Sequence, residues 1–323
     1  MQNVLVTGGA GYIGSHVCKA LAASGYQPVV FDSLVTGNRW AIKWGPFEHG
    51  DIRSLGRLVE VMQVYKPIAI MHFAASAYVG ESVIDPGKYY LNNVAGSLSL
   101  IQAARQCNIN SIVFSSSCAT YGETDEVPIL ENAVQRPINP YGWSKLMIEQ
   151  ILRDYVCAYG VSAVVLRYFN AAGADPAGEI GECHEPETHL IPLVLNAVAQ
   201  PEQPIKVFGD DYPTTDGTCI RDYTHVTDIA DAHLLSLQAC QEKSTFRAFN
   251  LGTGSGHSVS EIVEMAEGVT GRPVHRLSAS RRAGDPARLV ASPAKARAEL
   301  GWRTKHSELH EIVSTAWTWM NKS

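Results

Sequence analysis

The sequence predicts an α/β fold, a doubly wound parallel sheet followed by a smaller mixed α/β region. Short apolar runs alternate with longer stretches of helical periodicity through the first half of the chain. A glycine-rich turn, Thr7-Gly-Gly-Ala-Gly-Tyr-Ile-Gly14, separates the first run from the first helical pattern. Past about residue 170 the texture shifts to shorter elements between loops rich in Gly, Pro, Asp and Thr.

Taken in order, residues 3–7 read as a buried strand and 14–24 as the helix after it. Residues 28–32 are a second strand, 55–65 a helix and 69–73 a third strand. A long amphipathic helix is expected over 89–106, a fourth strand over 111–116, a helix over 141–159 and a fifth strand over 163–168. This β-α-β-α order calls for parallel strands, right-handed crossovers and helices on both faces. In the second half, 226–240 and 259–270 read as helices, and both 226–240 and 246–251 are candidates to join the sheet domain. The expected division is a nucleotide-binding domain over 1–170 and a mainly substrate-binding region over 171–323. The segment 226–251 is expected to rejoin the sheet.

The 323 residues are 46% hydrophobic, enough for a large core. Net charge is −6 and no Lys/Arg-rich run occurs, so nucleic acid is not an expected partner. Seven cysteines are scattered without a C-x-x-C pair, which indicates neither zinc nor a disulfide framework and suits a reducing cytoplasm. His16, His49, His184, His225, His233 and His257 show no ligand spacing, and no metal is expected. The short apolar run Val4-Leu5-Val6 lacks the flanks of a signal peptide, and no stretch is long enough for a bilayer.

The glycine turn points to a bound nucleotide. Gly8, Gly11 and Gly14 are spaced G-x-x-G-x-x-G, and Gly9, Gly11 and Gly14 also fit G-x-G-x-x-G. In either register the backbone approaches a pyrophosphate at a helix N-terminus, the arrangement of a Rossmann-type sheet. Asp32 closes the second strand, at the distance where a carboxylate receives the adenosine ribose hydroxyls. It would repel a 2′-phosphate, so NAD is preferred over NADP; Arg39, nearby, works against that choice. Asp51-Ile52 is placed to hold the adenine, although Asp51 equally suits a cap for the next helix.

Asn139-Pro-Tyr-Gly-Trp-Ser-Lys145 puts Tyr141 and Lys145 on one face of a helix. A phenol with a pKa of about 10 is a poor base at neutral pH until a neighbouring cation favours its phenolate. Ser115-Ser-Ser-Cys-Ala-Thr-Tyr-Gly122 ends the fourth strand, where ligands of a parallel sheet bind, so a hydroxyl there can meet Tyr141.

At this point the chain resembles the extended short-chain dehydrogenase/reductases, and within them the NAD-dependent UDP-sugar 4-epimerases that interconvert UDP-glucose and UDP-galactose. The carrying segments are TGGAGYIGSH (7–16), GDIR (50–53), HFAA (72–75), VGES (79–82), YYLNNV (89–94), SSSCATYG (115–122), NPYGWSKLMIEQIL (139–152), LRYFNAAGADP (166–176), FNLGTG (249–254) and RRAGDPARLVA (281–291). Together with GDDYPTTDGTCIRDYTHVTDIADAH (209–233) they span nearly the whole chain. The resemblance implies that Tyr141 takes the proton of the sugar 4-hydroxyl, Lys145 tunes Tyr141 and holds the nicotinamide ribose, and Ser117 relays the proton. NAD would take a hydride from C4, giving a 4-keto sugar, and return it to the opposite face. Gly8, Gly11, Tyr12, Ile13, Gly14, Asp32, Asp51, Ile52, Phe73, Ala74, Asn92, Ser115 and Phe169, with Tyr141 and Lys145, match cofactor-contacting positions. Arg221 and Arg282 match the diphosphate positions, Asp285 the uridine ribose contact and Phe208 the uracil contact. Asn170, His189, Leu190 and Leu289 match the rest of the UDP-sugar lining. A homodimer is implied, paired through helices such as 89–106 and 141–159, with Trp143 facing solvent or a neighbouring helix.

Three positions depart from the family pattern. Ala77 stands where many members carry lysine, His189 where asparagine often meets the diphosphate, and Leu289 where tyrosine or a smaller residue gates the C2 substituent. AASAYVGES with SSSCATYG also resembles epimerases of UDP-xylose and UDP-arabinose. A 4,6-dehydratase would need an acid pair where Cys118-Ala119 stands, and a non-catalytic protein of this fold would not need Ser117, Tyr141 and Lys145 together.

Overall fold

The computed structural model describes residues 1–124, 126–240, 244–282 and 285–322. In the first strand, β1 (Asn3–Thr7), side chains alternate between the two faces. Val4 and Val6 enter one apolar cluster and Leu5 enters another. Burial on both faces is what a parallel sheet between two helix layers requires. In chain order there follow α1 (Tyr12–Ala23), β2 (Gln27–Asp32), β3 (Phe47–His49), α2 (Leu55–Tyr65), β4 (Ala69–His72), α3 (Val79–Ile84), α4 (Pro86–Tyr89), α5 (Gly96–Gln106), β5 (Ser111–Ser117), α6 (Pro140–Tyr159) and β6 (Ser162–Tyr168). The second half adds β7 (Asn170–Ala172), α7 (Leu190–Ala199), β8 (Ile205–Phe208), β9 (Ile220–Arg221), β10 (Tyr223–His225), α8 (Val226–Cys240) and β11 (Phe246–Leu251). It ends with β12 (His257–Ser258), α9 (Val259–Thr270), β13 (Arg276–Ala279), β14 (Arg288–Leu289), α10 (Ala294–Glu299) and α11 (Leu309–Met320).

Seven strands form one sheet in the order β11-β6-β5-β4-β1-β2-β3, every neighbouring pair parallel. The doubly wound sheet expected from the sequence is therefore present. On one face lie α1, through Val17 and Leu21, and α8, through Ile229 and Leu237. On the other lie α2 with Leu58 and Met62, α5 with Leu100, and α6 with Ile148 and Leu152. Strand order reverses beside β1, and a crevice opens there at the carboxyl ends of the strands. A second core joins α7, α9 and α11 through Val194, Leu195, Ile262, Val263, Ile312 and Val313. Small sheets of β7 with β10, β8 with β13, and β9 with β12 and β14 surround it.

The single helix expected over 89–106 is a composite. α4 gives way to a π-helical turn, Tyr90–Ala95, before α5 begins. Two contacts explain the break. Asn93 is buried and donates to Ser76 O (3.0 Å) and Ser144 Oγ (3.0 Å) while accepting from Ser76 N (2.8 Å). Gly96 lies so close to Ile52 that a Cβ there would stand 2.7 Å from its Cδ1. β3, not anticipated, is three residues long and has no apolar run; it pairs with β2 through Val30–Phe47. Among the described residues no helix is long and apolar enough to cross a membrane.

Candidate active site

The crevice is a cleft of about 2120 Å³ lined from both halves of the chain. Pockets for one drug-sized ligand measure roughly 300–1,000 Å³, so the cleft has room for more than one ligand. Every cofactor, catalytic and substrate position that the family resemblance implies lines it, while Gly9 and Arg39 do not.

The nucleotide end is built by backbone. Gly8 has φ +74, and a Cβ there would lie 2.6 Å from Ala74 N, so the turn after β1 presses against the turn after β4. Phe73 N and Ala74 N both donate to Thr7 O (2.9 and 3.1 Å). Gly11 is the N-cap of α1 and no side chain caps that end, which leaves the first-turn amides of Tyr12 and Ile13 open to an anion. Asp32 is held by Ala10 N at Oδ2 (3.0 Å) and Leu34 N at Oδ1 (2.8 Å). Burial pushes its carboxyl up, and these amides act against the shift. Arg39 stacks over Phe47, 5.3 Å from the ring centroid, and does not line the cleft. Asp51 does not cap α2, whose N-cap is Ser54; it pairs with Arg53 (Nε–Oδ1 2.9 Å). Asn92 Nδ2 donates to Ser76 Oγ (3.1 Å).

The middle of the cleft holds Ser117, Tyr141 and Lys145. α6 starts where Pro140 fits the first turn and Asn139 accepts the amide of Gly142 (2.8 Å). A Cβ on Gly142 would lie 2.4 Å from Ala119 O, so glycine lets α6 settle against the loop after β5. That contact brings the Tyr141 phenol into hydrogen-bonding reach of Ser117. Burial pushes the phenol up to about 12, and the Ser117 hydroxyl pulls the other way. Lys145 donates to Ser115 O (2.8 Å) and is pushed down to about 7 by burial, with Glu149 opposing. The expected lowering of Tyr141 by Lys145 is thus not what the chain's own groups produce: burial sets the upward direction, and Ser117 is the group that favours the phenolate.

Behind this trio lies a buried network absent from the sequence reading. Glu149 accepts from Ser116 (2.6 Å) and takes both arms of Arg167 (3.0 and 2.6 Å); Arg167 also reaches Tyr121, which donates to Asn250 (2.6 Å). Two signals were available for it. Glu149 follows Lys145 by four residues on the same helix, and Arg167 interrupts an apolar strand, where charge is rarely placed without a partner.

The far end collects the substrate candidates. Arg282 stacks on Phe208 at 4.0 Å from its centroid. Arg221 pairs with Asp285, not with its neighbour Asp222. Asp222 is fully buried and accepts the amides of Thr253 (2.8 Å), Gly254 (3.2 Å) and Ala291 (3.1 Å). Asn170 donates to Asp222 O (3.0 Å), Leu190 opens α7 at the wall, and Leu289 packs beside the cluster of Phe169 and Ala291. One expectation is overturned. His184 does cluster: Glu182, His184, Glu187 and His189 bring one ligand atom each within 4.8 Å of one another. Residues 185 and 186 turn the chain between them, which spacing alone does not disclose.

Comparison with known proteins adds to this geometry. Residues 4–252 match the family described as NAD dependent epimerase/dehydratase. A UDP-glucose 4-epimerase of Rhizobium meliloti is 52% identical over 321 residues, 99% of this chain and 98% of that one. The crystal structure of UDP-glucose 4-epimerase from Brucella ovis in complex with NAD is 54% identical with TM-score 0.96, covering 98% of both chains. The UDP-glucose-4-epimerase from Stenotrophomonas maltophila, with bound NAD and formylated UDP-arabinopyranose, is 39% identical with TM-score 0.96, covering 100% of this chain and 98% of that one. With this match running through the glycine turn, the Ser117–Tyr141–Lys145 trio and β11, the chain belongs to the NAD-dependent epimerase/dehydratase family.

Proposed function

We propose that the protein is an isomerase, an NAD-dependent UDP-glucose 4-epimerase. The carrying observation is the Ser117–Tyr141–Lys145 trio at the middle of a cleft with open helix amides and Asp32 at one end and Arg221 and Arg282 at the other. Relatives of this name, covering nearly the full chain, support the reading. Asp32 and the uncapped end of α1 would hold NAD. When bound, its nicotinamide would supply the acceptor and donor of the C4 hydride and a positive charge. Tyr141 accepts the proton of the 4-hydroxyl, Ser117 holds that oxygen, passes the proton and favours the phenolate, and Lys145 orients the ribose. The planar guanidinium forks of Arg221 and Arg282 suit the substrate's diphosphate. Asp285 and Phe208 would bind uridine, with Asn170, His189, Leu190 and Leu289 along the sugar and diphosphate.

On this reading residues 1–170, with α8 and β11, form the cofactor domain and most of 171–323 the substrate region. A homodimer is supported by the exposed apolar side chains of Trp143 and Met147, one turn apart on α6. A cytoplasmic setting is supported by seven free cysteines.

A pentose-nucleotide epimerase is the second reading, favoured by the UDP-arabinopyranose derivative in the Stenotrophomonas structure. A 4,6-dehydratase is disfavoured by Ala119 and by Cys118, whose thiol burial pushes up to about 11. The deciding experiment measures kcat/KM for UDP-glucose, UDP-galactose, their N-acetylated forms and UDP-xylose. Preference for UDP-galactose and UDP-glucose supports the first reading. Preference for UDP-xylose replaces it with the second, and a released 4-keto-6-deoxy sugar rejects both.

A further inference from the structure

We propose that Glu182, His184, Glu187 and His189 form a binding site for one divalent cation of the zinc class. His184 Nδ1 is fully buried and lies 3.1 Å from Glu182 Oε1, facing the carboxylate without a well-aligned hydrogen bond among the described residues. His189 Nδ1 meets the same Glu182 oxygen, and Glu187 stands 3.7 Å from His184 Nδ1 and 3.8 Å from His189 Nδ1. Two imidazole nitrogens and two carboxylates thus converge on one point. A cation there gives each nitrogen lone pair a partner. Two carboxylates balance a double positive charge, and two nitrogens with two oxygens suit zinc better than calcium or magnesium.

The ligands are held in place from behind, as a built site requires. Glu187 Oε1 accepts the amides of Thr188 (2.7 Å) and His189 (2.8 Å). Trp319 donates to Glu182 O (2.9 Å), and Asn38 to Cys183 O (3.2 Å). The His184 ring stands edge-on between Tyr12 and Tyr78, 6.3 Å from each. Tyr12 belongs to the glycine turn and Tyr78 follows Ala77, so the cation would face the wall where the family pattern places a lysine. That last consequence rests on the proposed function; binding of the cation does not.

The test uses the purified, NAD-containing protein in a Cys183→Ser background, stripped with a chelator and titrated with zinc against a colorimetric indicator. One equivalent per chain is expected, with affinity weakened by about 10–100-fold or more in separate His184→Ala and Glu187→Gln variants. Metal-free melting temperatures identify a variant that fails to fold, and the other then carries the comparison. Absence of stoichiometric zinc, or equal affinity in the folded variant, overturns the proposal. Turnover of UDP-galactose is assayed separately, so loss of the metal site and loss of the epimerase reading remain distinguishable.

Discussion

At the scale of single residues, the same burial acts on Tyr141 and Lys145 in opposite directions, because it disfavours whichever form is charged. Tyr141→Phe is expected to lower kcat by about 10²–10⁴ while bound NAD, read by absorbance, is retained. Undiminished turnover would reject Tyr141 as the base. Glu149 holds the Lys145 cation up against burial. The cation is lost as pH rises through about 7, so Glu149→Gln should move the alkaline fall in kcat to lower pH. An unmoved alkaline limb would remove Glu149 from that role. The variant also strands Arg167, whose partner is 1% exposed, at a cost of about 3–5 kcal/mol in denaturant unfolding. Tyr141, Lys145 and Ser117 were legible because each stands in a motif tied to the end of a predicted element. Glu149 and Arg167 were not read, because their meaning depends on a contact between α6 and β6 that no local pattern states.

At the scale of elements, α6 is the helix on which the chemistry depends. Its first turn carries Tyr141, and its end is fixed by the Asn139 side chain. Asn139→Ala should cost about 1 kcal/mol of stability, read as a lower denaturation midpoint, and should also reduce kcat. A changed midpoint with unchanged kcat would separate the cap from the site. α2, α8 and α9 matched their expected spans to the residue, since strong periodicity ran up to clear breakers. The π-turn at Tyr90–Ala95 escaped because one extra residue in a turn leaves apolar spacing nearly unchanged. It is set by the buried amide of Asn93, a tertiary contact.

At the scale of the molecule, four buried histidines set the response to acid. Burial pushes His16 and His233 down to about 4 and His72 and His225 down to about 3. Below the unfolded value of about 6.5 the unfolded chain binds protons that the folded chain refuses, so stability falls with pH from there. Melting temperature should drop from pH 7 to pH 5, and a flat profile would contradict the assignment of these rings as neutral. The exposed face of Trp143 and Met147 gives a second expectation, which rests on the proposed homodimer: the parent protein should sediment as a dimer and Met147→Glu as a monomer, while an equal profile for the two would reject pairing through this face. Layering and strand direction were legible in the sequence from the alternation of runs. The position of β11 beside β6 and the convergence of Glu182 with His189 were settled only by long-range packing.

The late arrival of β11 has a consequence for synthesis. β6 pairs with β5 on one side and with β11 on the other. While the ribosome is still making residues 169–245, the nascent sheet ends in a largely apolar edge, Ala163–Leu166, with unpaired amides, open to the same edge of another chain. A fragment stopping at residue 170 should therefore aggregate rather than persist as a free nucleotide-binding domain, and adding a synthetic peptide of residues 244–252 during refolding should raise its soluble yield.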